Sequence, residues 1–263
     1  MEILVCIRRV PDTSENEIQL NAAGNDIERD DLVYSINEWD NYAVEEAIQI
    51  VGRVGGNVTV VTVGGEEDEE VLRRQMAMGA NHGVLLADDS FAGSDAHGIA
   101  TILKAHVAKG HYDLILTGVQ AEDGGAQVGG MLAAMLDYPF ASLVNSIQVL
   151  DGGKLKITRE IEGGNKEINE IDLPCVLSIQ TGINEPRYVG MRGIRQVASV
   201  PIPAYGVSDL ALAPELVGTA AARLTRVDYF VPPAGKGARM LEGSRKEVVE
   251  QLVELVRTKG GLR

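Results

Sequence analysis

Tyr112-Asp113-Leu114-Ile115-Leu116-Thr117-Gly118-Val119-Gln120-Ala121-Glu122-Asp123-Gly124-Gly125-Ala126-Gln127-Val128-Gly129, residues 112–129, is the stretch from which the fold can be read. Residues 112–117 form a short apolar run that stops at Gly118, as a buried strand does. Ala126 to Leu136 then reads as a helix. A strand that is apolar nearly throughout is covered on both faces, which belongs to a parallel sheet with helices on either side.

The rest of the first half repeats this unit. Ile3 to Ile7 is an apolar strand, and Asn41 to Val51 carries Ala43, Val44, Ala47, Ile48 and Val51 on one helical face. Val58 to Val63 is β-branched and ends at Gly64-Gly65. A helix with an acidic first turn runs from about Glu67 to Met78, with Gly79 as its C-cap. Gly83 to Ala87 is a further strand, and Ser94-Asp95 caps a helix reaching about Ala108. Alternating strands and helices predict an α/β fold with a mostly parallel sheet. Ligands in such sheets sit beyond the carboxyl ends of the strands. Asn37 to Asp40, Gly64-Gly65 and Gly118 to Gly129 are therefore candidate lining segments of one crevice, with Asn37 to Asp40 placed just before a helix.

The texture changes after about residue 145. Ser146 to Leu150, Leu155 to Glu160 and Glu167 to Asp172 are short strands separated by Asp151-Gly152-Gly153 and Glu162-Gly163-Gly164, an antiparallel meander. Cys175 to Ile179 is one more strand. From about residue 226 the chain turns irregular through Val231-Pro232-Pro233. A helix then begins at Ser244 with Glu247 three residues on, a capping box. Its stripe of Val248, Leu252, Leu255 and Val256 must pack on its own domain or on another chain. The expected division is 1–225 as the α/β domain with its meander and 226–263 as a C-terminal helical arm.

Composition excludes several functions. With 38 acidic and 24 basic residues the net charge is −14, which repels phosphate backbones, so no nucleic-acid partner is expected. One nucleotide remains acceptable, because backbone N–H groups at a helix start suffice. No run approaches the roughly 20 apolar residues of a membrane span. Glu2 enters a strand directly, without a leader pattern. Cys6 and Cys175 lie in apolar strands and read as buried small hydrophobes in a reducing compartment. The expectation is a soluble cytoplasmic protein without membrane insertion.

The chemistry-bearing candidates are few. In 118–129 consecutive N–H groups can form an anion-binding concavity, with Gln120 and Gln127 available to phosphate or ribose; a plain glycine-rich turn accounts for the same residues. The loop matches neither the P-loop nor the Gly-x-Gly-x-x-Gly fingerprint. Asp12, after the first strand, reads as a turn former. Asn184-Glu185-Pro186-Arg187-Tyr188, with Met191 beyond it, suits either a partner-docking surface or a buried structural loop. His82, His97, His106 and His111 show no ligand spacing, so no metal site is expected. No acid–base or nucleophilic constellation can be assembled, so the residues by themselves offer a nucleotide-binding α/β domain with no visible acid–base machinery.

Taken together, these segments resemble the electron transfer flavoprotein beta family. Arg8-Arg9-Val10-Pro11-Asp12, Asn37 with Ala43-Val44-Glu45-Glu46-Ala47, and Ala77-Met78-Gly79-Ala80-Asn81 carry the likeness. So do Gly118 to Gly129, Arg159-Glu160-Ile161-Glu162-Gly163-Gly164 and Asn184 to Tyr188, in that order over nearly the whole chain. The resemblance implies a doubly wound, Rossmann-like adenine-nucleotide-binding domain whose C-terminal arm embraces an alpha subunit. It implies an electron carrier subunit with a redox FAD at the interface, held mainly by alpha, and a structural AMP in beta. The AMP contacts by position are Cys6, Asn37, Glu38, Trp39, Asp40, Val63, Gly118, Gln120, Asp123, Gly124, Gly125, Ala126, Gln127 and Val128. The implied docking residues are Pro186, Arg187, Tyr188, Met191 and Ile194, facing an acyl-CoA dehydrogenase-type flavoenzyme, with a quinone-linked oxidoreductase as acceptor.

Bifurcating members place a second FAD in the same cleft and typically read Asp-Gly-Asp-Thr before Ala-Gln-Val-Gly-Pro. Here Asp123-Gly124-Gly125 precedes Ala126-Gln127-Val128-Gly129-Gly130, without the Thr and Pro, so AMP is expected and a second FAD is the alternative. The lysine cluster that many members carry after the docking loop is also missing near Val200. A non-redox adenine-nucleotide-binding module is the remaining reading.

Overall fold

Strand β1, Glu2–Cys6, shows how the layers form. Successive side chains point to opposite faces. Ile3 and Val5 enter one apolar cluster with residues of the first two helices, while Leu4 and Cys6 enter another with residues of the third and fourth. The same split holds in the strand Cys175–Ile179, where Cys175, Leu177 and Ile179 face one cluster and Val176 the other. Both faces of the sheet are thus buried, as the apolar strands predicted.

The structure is a computed structural model that describes residues 1–121, 125–225, 227–233, 235, 237–238 and 240–259. After β1 come β2 (Arg9–Pro11), β3 (Tyr34–Ile36), α1 (Glu38–Val54), β4 (Asn57–Val63), α2 (Glu69–Met78) and β5 (His82–Leu86). Then follow α3 (Ala96–Val107), β6 (Leu114–Gly118), α4 (Val128–Leu136), β7 (Phe140–Leu150), β8 (Lys154–Ile161), β9 (Asn165–Asp172) and β10 (Cys175–Ile179). α5 (Met191–Val197), β11 (Ala204–Tyr205), α6 (Gly218–Ala221) and α7 (Arg245–Thr258) complete the order. Among the described residues nine strands make one sheet in the order β11-β5-β4-β1-β6-β10-β7-β8-β9. The pairs from β11 to β7 are parallel, and β7-β8-β9 is the expected antiparallel meander. From β1 the chain steps outward through β4, β5 and β11 on one side and crosses to β6 on the other, where the later strand β10 inserts between β6 and β7, so the direction of winding switches between β1 and β6.

Several boundaries differ from the sequence expectation; the strand read over 112–117, for one, is Leu114–Gly118. Helix α1 begins at Glu38, so Glu38 to Asp40 form its first turn rather than preceding it; Asn37 is the N-cap, and the acidic residues there favour the dipole without adding apolar periodicity. α2 starts at Glu69 behind a single 3-10 turn at Glu66–Asp68. α4 starts at Val128, because Ala126 adopts a left-handed φ of 49°. β7 extends back to Phe140: it pairs parallel with β10 in its first half and antiparallel with β8 in its second. Leu143 at φ 59° and a register shift between Val144 and Ser146 interrupt its alternation, which hid the first half.

The chain divides into two compact units, Met1–Gln19 with Glu28–Arg226, and Leu20–Ile27 with the residues from Val227 on. In the second, Leu20 bridges Ile27 and the Tyr229 N–H donates to Gly24 O at 3.0 Å. Its helix α7 has the expected capping box, Ser244 Oγ accepting from Glu247 N and Glu247 Oε2 from Ser244 N. Val249 and Leu252 on α7 are exposed. No helix among the described residues is long and apolar enough to cross a membrane.

Candidate functional site

The candidate crevice lies where the winding switches, at the carboxyl ends of β1 and β6, the position at which open α/β sheets take ligands. Asp40, in the first turn of α1, joins the two strand ends. Its Oδ2 accepts from Arg8 N at 2.8 Å and its Oδ1 from Gly118 N at 2.9 Å. Asp40 is only 5% exposed. Burial pushes its carboxyl up to about 7, against the pull of the Asn37 side chain and of the Gly118 and Arg8 N–H groups. This acid therefore sits close to its midpoint at neutral pH.

Gly118 is required by packing. A Cβ there would lie 2.7 Å from Trp39 Cβ and 3.0 Å from Asp40 N, and would overlap Asp40 Oδ1. Helix α1 can approach the end of β6 only because that side chain is absent. Gly129 in the first turn of α4 is needed for the same reason: its Cβ would lie 2.5 Å from Ser178 Oγ and 2.8 Å from Thr117 Oγ1. Those two hydroxyls bond each other at 2.9 Å and tie β6 to β10 beneath the crevice.

Asn37 is buried beside Asp40. Its Nδ2 donates to Gln120 O at 2.9 Å, which fixes the first residues of the loop after β6. Its Oδ1 is buried and has no partner among the described residues. A buried acceptor left unused costs about 1–3 kcal/mol, so the position suits a ligand that donates a hydrogen bond. Trp39 Nε1 donates to Gln180 Oε1 at 3.2 Å, bringing in the end of β10. Asn37, Trp39, Asp40, Gly118 and Gln120 are thus brought together.

The other expected contacts fall into three groups. Cys6 ends β1 opposite Thr117, but burial and the Asp40 charge raise its thiol far above the ordinary value, so it stays neutral. Cys175 is buried and pushed up to about 12. Val63 ends β4 and is joined by no hydrogen bond to the Asp40 cluster; Glu38 lies on the exposed side of α1. Gly125, Ala126 and Gln127 are exposed, with Gln127 as N-cap of α4 and Val128 its half-buried first residue. Asp123 and Gly124 lie outside the described residues. The sequence reading missed Arg8, Thr117, Ser178 and Gln180. Arg8 lies two residues beyond the end of β1 and Gln180 directly follows β10, so strand-end position was the signal available for them.

The 184–194 segment divides its residues between two tasks. Arg187 grips the buried Glu45 of α1 through Nε–Oε2 and Nη2–Oε1 contacts of 2.8 Å each. Burial raises the Glu45 carboxyl, but the hydrogen bonds from Arg187 and Gln49 outweigh it and hold the group below its ordinary value. Asn184 Nδ2 donates to Tyr42 O and Glu46 Oε2. These contacts fasten the loop to α1, and Pro186 between them is half-buried. The next residues face outward: Tyr188 is 92% exposed, Met191 64% and Ile194 41%. Arg73 of α2 donates to Val197 O and Val200 O, holding the end of α5. A Cβ on Gly193 would come within 2.8 Å of Ala77 O, so α5 lies directly on α2. Rigid anchoring beneath an exposed apolar row is what a preformed contact surface needs. Among the described residues no cluster of His, Cys, Asp or Glu has metal-binding geometry.

A family model described as "Electron transfer flavoprotein domain" matches residues 25–210. The electron transfer flavoprotein subunit beta of Methylophilus methylotrophus is 36% identical over 261 residues, covering 97% of this chain and 98% of that protein. The subunit of the same name from Bacillus subtilis (strain 168) is 34% identical over 260 residues, 98% of each chain. The caffeyl-CoA reductase-Etf complex subunit CarD of Acetobacterium woodii is 35% identical over 263 residues, covering 98% of this chain and 99% of its own.

Proposed function

The chain belongs to the electron transfer flavoprotein beta subunit family, and from that premise we propose that it is the beta half of a heterodimeric electron carrier. Its electron-transfer role is common to the relatives it matches. In the proposal, FAD lies at the interface, held mainly by an alpha subunit, and AMP fills the crevice between β1 and β6. The 226–263 arm packs on alpha, in the cytoplasm. Electrons come from an acyl-CoA dehydrogenase-type flavoenzyme and leave to a quinone-linked oxidoreductase.

The observation that carries the nucleotide assignment is the unpartnered Asn37 Oδ1 in a crevice closed by Asp40 and Gly118. An exocyclic amine or a ribose hydroxyl is a donor of the needed kind. Asn37 and Asp40 hold the entrance of the loop after β6, and the exposed N–H groups ahead of α4 face a phosphate. The flavin supplies one- and two-electron redox chemistry when bound, and AMP supplies none. The beta chain's own tasks are to hold the nucleotide, to fix the 184–194 surface through Glu45 and Arg187, and to present Tyr188, Met191 and Ile194 to the dehydrogenase.

Expression with and without an alpha partner tests this. The chain alone carries little flavin, and the pair is yellow. Stoichiometric flavin on the isolated chain contradicts the proposal. The second reading places another FAD in beta, and the match to the caffeyl-CoA reductase-Etf subunit at 35% identity keeps it open; the missing Thr and Pro around Gly125 and Gly130 favour AMP.

A further inference from the structure

A cavity of about 690 Å³ lies at the opposite end of the sheet from the crevice, beside the first residues of β5. Its walls come from the start of β5, the last turn of α3, and the segment between α5 and β11. The volume is in the range that holds small organic ligands. Met76, Val84, Val200, Pro201 and Pro203 give it apolar walls. Tyr112, Tyr205 and His106 add three rings, with His106 packed at centroid distances of 6.1 Å from Tyr112 and 6.2 Å from Tyr205.

Its charge is unlike that of the chain as a whole. The protein carries a net charge of −14, yet among the described residues no aspartate or glutamate lines this cavity, while Lys109 and His82 do. Both are exposed at its edge. The C-terminal end of a helix normally repels anions. At the end of α3, however, the carbonyls of Lys104, His106 and Val107 are already bonded to the N–H groups of Ala108, Lys109 and Gly110.

The wall also has a hydrogen-bonding function to spare. His106 is 7% exposed, and its Nε2 meets the Tyr112 hydroxyl at 3.2 Å while its Nδ1 has no partner among the described residues. Burial, with a smaller effect of Lys109, lowers its pKa, so the ring is neutral near pH 7. If Tyr112 donates to Nε2, the Nδ1–H is unused; if Nε2–H donates to Tyr112, the hydroxyl proton is unused. Either tautomer leaves one donor of the His106–Tyr112 pair unused in the cavity wall.

We propose that this cavity is a second binding site, separate from the nucleotide crevice, for a small aromatic carboxylate. Its ring lies against Tyr112, Tyr205 and the proline wall, and its carboxylate faces Lys109. The segment it would touch continues from α5, so occupancy bears on the stretch of chain that follows Met191 and Ile194. The assignment does not depend on what fills the crevice.

The test uses the full chain paired with its alpha subunit. Benzoate is titrated in while the methyl resonances of Met76 and Val84 are followed, with benzylamine as a control of similar shape and opposite charge. The expected result is a saturable shift with benzoate, weaker binding of benzylamine, and an affinity lowered about fivefold or more in Lys109→Glu. Lys109 is exposed, so this variant keeps the fold. Tyr112→Phe is expected to weaken benzoate about threefold or more. Shifts that stay linear to about 10 mM, equal binding of benzylamine, or an affinity unchanged in Lys109→Glu would overturn the proposal.

Discussion

Replacing Asp40 by asparagine isolates the free energy of the carboxylate buried between β1 and β6. The group's pKa rises from the ordinary 3.8 to about 7, with burial as the leading cause. Between those values the native protein holds a proton that the unfolded chain has lost, so stability falls as pH rises. The decline begins above pH 3.8, where the unfolded group ionises, and levels off above about 7. At about 1.4 kcal/mol per pH unit the full span is about 4 kcal/mol. The asparagine variant would lack this pH-dependent contribution and lose one of the two accepted hydrogen bonds, a cost that does not change with pH. Urea unfolding of both proteins from pH 4 to 8, followed by the single tryptophan, Trp39, reads the unit that contains the site. The stability of Asp40→Asn relative to the unmodified protein should climb by about 4 kcal/mol across that range. A difference that stays flat within about 0.5 kcal/mol, or that falls with pH, would refute the reasoning.

Three further substitutions probe the site and the docking loop. Gly118→Ala places a methyl against Trp39 and Asp40 and should cost about 1–3 kcal/mol, measured by thermal melting, with a parallel drop in nucleotide recovered per heterodimer. Glu45→Ala removes both carboxylate oxygens from Arg187 and should cost about 2 kcal/mol in urea titrations at neutral pH. The Glu45 carboxyl is held below its ordinary value, so its contribution is present above that value and disappears as pH falls through the lowered one. Met191→Glu changes a side chain that is 64% exposed and should alter stability by no more than about 0.5 kcal/mol, while slowing flavin reduction by a partner dehydrogenase in stopped-flow assays.

The parallel sheet was legible because β1, β4, β5, β6 and β10 are apolar on both faces, and each owes that to helices above and below. The meander was legible from its glycines; Gly152 and Gly153 adopt φ values of 75° and 74°, which favour that residue. The first half of β7 was not, since the irregularity near Leu143 breaks the two-residue period. The site was legible as a set of strand ends but not as a network. Asp40 meets Gly118 78 residues away, and Arg187 meets Glu45 142 residues away. No local pattern records such pairings, and the raised pKa of Asp40 exists only once α1 has buried it. Asn184 and Arg187 illustrate the same limit: their types suit docking or structure equally well, and only the position of α1 gives them a structural task.

Counting the nucleotides released from the purified heterodimer tests the central claim most directly. One AMP and one FAD per heterodimer is the predicted result, with the AMP diminished in Gly118→Ala. Two FAD and no AMP, or no adenine nucleotide beyond the single FAD, would contradict it.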